Sequence, residues 1–158
     1  MGALPSTTLS NQRRHLTSYH NQARGSTRPP LHQHSTLNAM ALGWATQMAQ
    51  KNYFKNDACH TRPNGYNFFQ WWNAKAPASW RCSRTTCPYG MACPYYIGEN
   101  IARRYPNASS VFNAWMNSTS HYRNIMNRSY RYIGIGIYDA RNGDRYWAVL
   151  FFGDRTGY

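Results

Sequence analysis

The segment YIGIGIYDARNGDRYWAVLFFG, residues 132–153, decides the fold class of this chain. Its first half alternates isoleucine with glycine, and RYWAVLFF in its second half alternates likewise, which is the period-two pattern of β-strands. Asn142-Gly143 between the two halves is a strong signal for a hairpin turn. The segment therefore predicts two antiparallel strands. The two glycines of the first strand leave room for something to lie close against that face.

Further elements are predicted upstream of this hairpin. YYIGENIA, residues 95–102, alternates like a short strand and sets Ile97, Glu99 and Ile101 on one side. Helical spacing predicts a first helix over residues 12–24 and a second one after the candidate caps Ser35 and Thr36. The second helix carries one apolar stripe that should face the core: Leu37, Met40, Ala41, Trp44, Ala45 and Met48.

Shorter helices complete the predicted set. One lies around residues 65–72, one follows a cap at Asn107, and one starts near His121. With 158 residues the chain is most simply one domain, which we expect over 13–158 behind a polar arm at 1–12. No apolar run reaches the roughly 20 residues that span a bilayer. The first residues lack the apolar core of a signal peptide, so we expect either that a leader has been removed or that the protein is not secreted by the signal-peptide route.

The charge of the chain is strongly positive. Eighteen Lys and Arg residues oppose five Asp and Glu, which gives a net charge of +13. Such a surface attracts lipid headgroups, acidic glycans or nucleic acid, with an affinity that falls as salt rises. Charge alone does not choose among these partners, and a basic but unspecialised surface is the alternative. No P-loop or dinucleotide fingerprint is present. No recognised nucleic-acid motif appears either, which argues against nucleic acid as the partner.

The cysteines and sequons point to an extracellular protein. Four cysteines fall close together and predict a disulfide-stapled loop at about 75–94, with three possible pairings: Cys59, Cys82, Cys87 and Cys93. A zinc site is the weaker alternative, because the four cysteines form no CxxC pair. Three sequons make Asn107, Asn117 and Asn127 candidate glycosylation sites.

The single glutamate of the chain is the main candidate site residue. Glu99 lies between Ile97 and Ile101, where burying a carboxylate is costly unless a cation, a metal or hydrogen-bond donors meet it. His60 and His121 are candidates to meet it; the alternative is that Glu99 caps backbone amides or pairs with an arginine. His121 lies at a predicted helix start, where the dipole favours a neutral imidazole.

Five segments together resemble one known family, the CAP superfamily of cysteine-rich secretory, antigen 5 and pathogenesis-related proteins (the SCP domain). They occur in the family's order and cover roughly residues 13–154: YHNQAR (19–24), YFKNDACH (53–60), GENIA (98–102), WMNSTSHYRNIMN (115–127) and IGIGIY…YWAVLFFG (133–153). The resemblance implies an α+β fold, an α-β-α sandwich in which helices cover both sides of a small, mostly antiparallel sheet.

The resemblance also implies a surface cleft. Its site positions correspond to His60, Glu99 and His121, and in family members the histidine pair can hold a divalent metal, often zinc, with the glutamate nearby. Many members have a second glutamate just before the second histidine, but no acid occurs here from residue 100 to 138. The sequence around His121, which has the form SxxHxxNI without the second acid, is similar to that of the shorter, bacterial-like branch of the family.

Two functions follow as expectations from the resemblance. The first is a secreted, non-enzymatic protein, active for example in defence, that binds a lipid or sterol, an anionic membrane surface or glycan, or a receptor. The alternative is a metal-dependent hydrolase in which Glu99 serves as base. Ser118 and Ser120 flank His121 but are not expected to form a nucleophile–base pair with it, because neighbours in sequence rarely do and no acid is placed to orient the imidazole.

Overall fold

A computed structural model describes residues 6–57, 59–82 and 95–154. Within these residues the chain forms five α-helices, two 3₁₀ turns (25–27 and 78–80) and one four-stranded sheet. The elements in chain order are α1 (Ser6–Arg24), β1 (His32–Gln33), α2 (Ser35–Gln50), α3 (Phe68–Lys75), β2 (Tyr95–Arg103), α4 (Ala108–Met116), α5 (Thr119–Ile125), β3 (Tyr132–Asp139) and β4 (Arg145–Asp154).

The sheet is mixed and mostly antiparallel, as expected. Its strand order is β1-β3-β4-β2, and only the short β1 pairs in parallel, with β3. The predicted β3–β4 hairpin is confirmed; its turn contains Gly143 at a φ of 89°, a conformation that glycine adopts without strain. The order leaves β2, the strand with the single glutamate, at one edge of the sheet.

Helices α2 and α3 cover one face of the sheet. All six residues of the predicted α2 stripe are buried. A Cβ atom added at Gly134 would collide with the backbone of Leu37, and one at Gly136 with the backbone of Ala41. The glycines of β3 therefore allow the α2 backbone to lie directly on the sheet, as the alternating pattern predicted.

Helices α1, α4 and α5 cover the opposite face. Their apolar residues pack in a second cluster with the isoleucines of β3 and the alternate residues of β4, including Leu16, Val111, Trp115, Ile125, Ile135 and Phe151. Helix α4 starts at the predicted cap, where Asn107 and Ser110 form a capping box. The α-β-α sandwich is thereby confirmed.

Two helix starts differ from the sequence prediction. Helix α1 begins at Ser6, so residues 6–12, expected as part of a polar arm, extend it; Gln12 accepts a hydrogen bond from the Ala108 amide at 2.7 Å. Helix α2 is capped by His34 rather than by Ser35 or Thr36, because the extended His34 directs its Nδ1 to the Thr36 amide at 3.2 Å.

Only part of the predicted cysteine loop is described. Neither Cys59 nor Cys82 is a free cysteine. Cys87 and Cys93 lie outside the described residues, as do residues 1–5 of the expected arm. In the described part of the chain no helix is both long and apolar enough to span a membrane.

Candidate functional site: a cleft at the edge of the sheet

Strand β2 directs successive side chains to opposite faces of the sheet, and this alternation organises the site. Glu99 points to the α2–α3 side, whereas Asn100 points to α5 and donates to the His121 carbonyl at 3.2 Å. Two outward-facing carbonyls of this edge strand accept side-chain hydrogen bonds. Asn124 Nδ2 donates to the Glu99 carbonyl at 3.0 Å, and Trp115 Nε1 donates to the Ile101 carbonyl at 3.3 Å.

The Glu99 carboxylate is completely buried, and both of its oxygens accept hydrogen bonds. His60 Nδ1 donates to Oε1 at 2.7 Å, and Arg62 Nη1 donates to the same oxygen at 2.9 Å. Arg62 Nη2 donates to Oε2. The carboxylate is therefore met both by the predicted histidine and by the arginine that formed the alternative.

Arg62 is held by aromatic rings as well as by the carboxylate. Its guanidinium carbon lies 4.2 Å from the centroid of the Trp44 ring and 4.4 Å from that of Trp71. Guanidinium groups stack favourably on aromatic faces, particularly when they are desolvated. Arg62 thus joins the glutamate to the aromatic core beneath α2 and α3.

The backbone at His60 is unusual and brings the imidazole to the carboxylate. His60 has a φ of 48°, in the left-handed region that few non-glycine residues adopt. Its carbonyl accepts from Arg62 Nη1 at 2.6 Å, and its amide donates to the Asp57 carbonyl at 3.1 Å. The Asp57 carboxylate in turn accepts from the amide and hydroxyl of Thr61. These bonds over-determine the loop and stabilise the strained residue.

The electrostatics keep Glu99 ionised. Burial raises the pKa of Glu99, but the Arg62 guanidinium and the hydrogen bond from His60 outweigh it and hold the pKa below its ordinary value. The Nδ1 of His60 carries its hydrogen towards the carboxylate, because an ionised carboxylate only accepts. In the neutral ring, Nε2 of His60 is then the atom with the free lone pair.

His121 is half-buried and neutral at pH 7. Burial, followed by the charge of His60 when that ring is protonated, lowers the pKa of His121 to about 4. A 2.8 Å hydrogen bond joins His121 Nδ1 to Ser118 Oγ. Ser118 is the N-cap residue of α5 but caps no amide there, because its hydroxyl is directed to the imidazole. The two side chains are therefore hydrogen-bonded, but in the described residues no carboxylate orients the ring as a nucleophile–base pair would require.

A cleft of about 390 Å³ opens beside this group. The cleft lies at the end of β2, between residues of the 51–57 loop on one side and residues of α4 and α5 on the other. Its lining includes His121 and Ser118 but neither His60 nor Glu99; the other lining residues are Phe54, Asn56, Ile101, Ala102, Arg103, Arg104, Tyr105, Ala114 and Trp115. The structure thus brings His60 and Glu99 into direct contact and places His121 in the adjoining cleft, hydrogen-bonded to neither.

The residues present fit a metal only through the two imidazoles. In the described part of the chain no three His, Cys, Asp or Glu residues come together as a metal-binding group. Glu99 is not available as a third ligand, since both its oxygens accept from cationic donors. His60, in contrast, has the arrangement common for metal ligands, with one ring nitrogen held by a carboxylate and the other left over.

Three residues of the site were missed or set aside by sequence reasoning. Arg62 carries no signal that distinguishes it among fifteen arginines. Asn124, which bonds to both Glu99 and Asn100, lies in the motif WMNSTSHYRNIMN but was not assigned a role. Ser118 did have a signal, because residues three apart face each other on a helix.

Comparison with known proteins supports one family. A model described as CAP, the cysteine-rich secretory protein family, matches residues 11–151. The Bacillus subtilis protein YkwD, described as uncharacterized, is 28% identical over 138 residues, which cover 87% of this chain and 44% of YkwD. The chain therefore spans less than half the length of this curated relative.

Solved structures show the same fold at low sequence identity. An outer surface protein from Borrelia burgdorferi superposes with a TM-score of 0.73 and 20% identity, covering 98% of this chain and 100% of that one. An extracellular SCP-domain protein from Bacillus anthracis gives 0.71 and 19%, covering 98% and 45%. A cysteine-rich secretory protein from Staphylococcus aureus gives 0.67 and 16%, covering 97% and 42%.

Proposed function

The chain belongs to the cysteine-rich secretory protein (CAP) family, and from this premise we propose that it is a non-enzymatic binding domain of an extracellular protein. An extracellular location is supported by the structural neighbours described as extracellular or outer surface proteins. The proposed ligand site is the cleft at the end of β2. The proposed partners are a lipid or sterol, or an anionic membrane or glycan surface, for which the net charge of +13 provides the attraction.

The observation that carries this proposal is the state of Glu99. A general base needs a free oxygen within reach of the substrate and a pKa near the working pH. Glu99 is buried, both its oxygens accept hydrogen bonds, and its pKa is lowered rather than raised. The carboxylate that contacts His60 therefore supports the loop rather than a reaction.

We further propose that His60 and His121 hold a divalent cation, such as zinc, through their Nε2 atoms. Glu99 would orient the His60 ring and Ser118 the His121 ring, the role that hydrogen-bonding partners of metal-bound histidines commonly have. Such a cation would offer an open coordination position to a ligand in the cleft.

Titration calorimetry with Zn²⁺ on the metal-free protein tests this assignment. We expect one saturable site that is lost in the variant His60→Ala/His121→Ala and retained in His32→Ala, which removes an exposed imidazole on β1. Equal zinc affinity of all three proteins would refute the assignment of the metal to these two histidines.

Co-sedimentation with vesicles tests the proposed surface. Phosphatidylserine vesicles should retain the protein at low salt and release it as the salt concentration rises, whereas phosphatidylcholine vesicles should not retain it. Adding a sterol to the phosphatidylcholine vesicles separates sterol recognition from charge. No retention by any of the three vesicle types would remove the lipid version of the proposal.

The alternative is a hydrolase, and the one geometric observation in its favour is the Ser118–His121 hydrogen bond, which is an arrangement of nucleophile and base rather than of metal ligands. A histidine with a pKa of about 4 is a weak base at neutral pH, however, and in the described residues no acid orients it. Incubation with peptide and ester substrates, with and without zinc, should give no turnover. Turnover that disappears in Ser118→Ala, with the thermal stability of the variant unchanged, would establish the hydrolase instead.

A further inference from the structure

The loop between α5 and β3, residues 126–131, accepts hydrogen bonds from arginine side chains. Arg131 Nη1 donates to the carbonyls of Arg128 at 2.6 Å and of Tyr130 at 3.2 Å. The buried Arg24 donates to the same Tyr130 carbonyl at 3.2 Å, so two guanidinium groups share one oxygen atom. These bonds hold the two cations close together despite their like charge.

Two further arginines lie at this loop. Arg28 Nε donates to the Met126 carbonyl at 2.8 Å, between two carbonyls that accept from Arg24. Burial, followed by the charges of Arg131 and Arg28, lowers the pKa of Arg24, which places all three within electrostatic reach of one another. Arg128 belongs to the loop itself and is exposed, whereas Arg28 and Arg131 are partly buried. We call Arg28, Arg128 and Arg131 the loop arginines.

No carboxylate pairs with the loop arginines. All five acidic residues lie in the described part of the chain, where the ion pairs involve other cations: Lys55–Asp57, His60–Glu99, Arg62–Glu99, Arg104–Asp144 and Arg145–Asp139. Among the same residues the Arg128 guanidinium donates no hydrogen bond. Nη2 of Arg28 and both Nε and Nη2 of Arg131 also have no acceptor there. These N–H groups are available to a ligand.

The loop carbonyls offset the positive charge only in part. A hydrogen bond to a carbonyl leaves the net charge of a guanidinium group unchanged, and like charges held in fixed positions repel one another. Salt screens this repulsion incompletely at separations shorter than the Debye length of roughly 8–10 Å. An anion bound among the loop arginines would replace the repulsion by charge-assisted hydrogen bonds.

We propose that Arg28, Arg128 and Arg131 bind a tetrahedral dianion, either a phosphate or a sulfate group. The site lies at the end of β4, where the Arg131 amide donates to the Phe152 carbonyl at 2.9 Å. The cleft lies at the other end of the sheet, since its residue Arg103 pairs with Tyr146 near the start of β4. The inference therefore goes beyond the proposed function and assigns a second site.

The shape of the ligand follows from the donors. Each guanidinium group presents a planar fork of N–H donors that matches two oxygens of a phosphate or sulfate group. The three forks come from different parts of the chain, and a tetrahedral ion has oxygens in enough directions to meet more than one of them. A carboxylate has two oxygens in one plane. A diffuse positive potential, in contrast, would attract anions of equal charge equally.

A ¹H–¹⁵N NMR titration of the whole chain tests the inference. The probes are inorganic phosphate, sulfate, malonate and acetate at constant ionic strength, with a chelator present so that the outcome does not depend on a metal. We expect phosphate or sulfate to cause saturable shifts in the amides of residues 126–131 and in the Nε–H signals of Arg28 and Arg131. Malonate, a dianion that is not tetrahedral, should bind at least about threefold more weakly, and acetate about tenfold more weakly.

The variants Arg131→Gln and Arg141→Gln make a matched pair. Both remove one exposed or partly exposed positive charge, but Arg131 precedes β3 and Arg141 lies in the turn at the other end of that strand. We expect Arg131→Gln to weaken binding of the tighter ion about tenfold, with a smaller loss in Arg131→Lys, which keeps the charge without the fork. Arg141→Gln should bind like the unaltered protein.

The variant Arg128→Gln separates binding from the stability of the loop. Arg131 also bonds to loop carbonyls, whereas the Arg128 side chain forms no hydrogen bond in the described residues. Arg128→Gln should therefore weaken binding of the dianion while its thermal unfolding matches that of the unaltered protein.

Vesicles distinguish a lipid headgroup from a soluble ion or ester as the source of the group. For a headgroup, vesicles with phosphatidic acid should retain the unaltered protein more strongly than Arg128→Gln, and inorganic phosphate should release it. For a soluble source, the two proteins should be retained equally while the NMR shifts persist.

Three outcomes would overturn the inference. These are equal affinity for sulfate, phosphate and malonate, equal losses in Arg131→Gln and Arg141→Gln, or shifts that do not saturate with phosphate or sulfate. The zinc titration concerns the two histidines at the other end of the sheet, and the sterol vesicles do not require the loop arginines. The proposed function can therefore survive any of these failures.

Discussion

The two faces of the sheet stabilise buried arginines in different ways. On the α2–α3 face, Arg62 is 2% exposed and is neutralised by Glu99 between two indole rings. On the other face, Arg24 is 1% exposed and donates five hydrogen bonds, all to backbone carbonyls of Pro29, Ile125, Asn127 and Tyr130. Burial, followed by the charges of Arg131 and Arg28, lowers the pKa of Arg24 to about 10.

The difference follows from the shortage of acids. Of the five acidic side chains only Glu99 is fully buried; the Arg145–Asp139 pair on the opposite face lies at the turn end of the β3–β4 hairpin, where Asp139 is partly exposed. The opposite face relies on carbonyl dipoles and on keeping its histidines neutral. His20 is fully buried among aromatic rings, and burial lowers its pKa to about 4. The Arg62 site thus depends on a buried pair of opposite charges, whereas the His20 site depends on the imidazole remaining uncharged.

The substitution Glu99→Gln breaks the ion pair and should have the largest effect. It leaves Arg62 charged and buried, so we expect a loss of about 3–5 kcal/mol in the free energy of unfolding. The double variant Arg62→Met/Glu99→Met removes both charges and should recover most of that loss. Urea unfolding of the three proteins measures both effects. If the single variant lost less than about 1 kcal/mol, the carboxylate would not be what holds Arg62 in the interior.

Lowering the pH tests the opposite face. The unfolded chain binds a proton at His20 near pH 6.5, whereas the folded protein binds it only near pH 4. Stability is therefore complete above about pH 6.5 and falls as the pH drops towards 4, by on the order of 3 kcal/mol for His20. His121 contributes in the same direction.

Urea unfolding at pH 7.5 and pH 4.5 measures this dependence. The variant His20→Gln should show a smaller difference between the two pH values, whereas His32→Ala, which alters an exposed histidine, should keep the full difference. An unchanged difference in His20→Gln would show that burial of this imidazole does not control the acid sensitivity.

The substitution Gly136→Ala tests the difference in helix packing between the two faces of the sheet. Helix α2 lies with its backbone against the glycines of β3, while isoleucine side chains separate that strand from the helices on the other face. Gly136→Ala would press against the Ala41 backbone and should cost about 1–3 kcal/mol or more. Gly43→Ala, on α2 with open space around it, should instead stabilise by up to about 1 kcal/mol. Thermal unfolding distinguishes the two.

The smallest expected effect is at the start of α4, on the α1–α4–α5 face. Asn107→Ala removes the side chain that accepts from the Ser110 amide at 2.9 Å and should cost about 1 kcal/mol. Asn107→Ser keeps an acceptor and should cost less in urea unfolding, although both variants remove the sequon. A loss of equal size in the two variants would assign the effect to the missing amide group rather than to the cap.

The parts of the fold that the sequence predicts are those in which apolar residues recur at a regular spacing. The hairpin and the α2 stripe follow from alternation and helical spacing, and both are confirmed. The start of α1 was missed because its first turns are polar and carry no acidic residue near the N-terminus. The contact between His60 and Glu99 was expected from the family resemblance alone, since 39 residues separate the two.

Arg62 could not be predicted in the same way. Its pairing with Glu99 depends on the loop turning back at His60 through a left-handed conformation, and no period in the sequence encodes that turn. The identity of the buried partner is therefore a property of the folded loop. Ser118 differs, since its spacing to His121 is visible in the sequence although their hydrogen bond was not predicted.

The side chains on the outer edge of β2 have a consequence for self-association. An unpaired strand edge can template the addition of another chain and so begin a fibril. Here Asn124 and Trp115 occupy the carbonyls of Glu99 and Ile101, which an incoming strand would have to use. At the other edge, β1 is only two residues long. Concentrated solutions of the folded protein should for this reason resist amyloid growth.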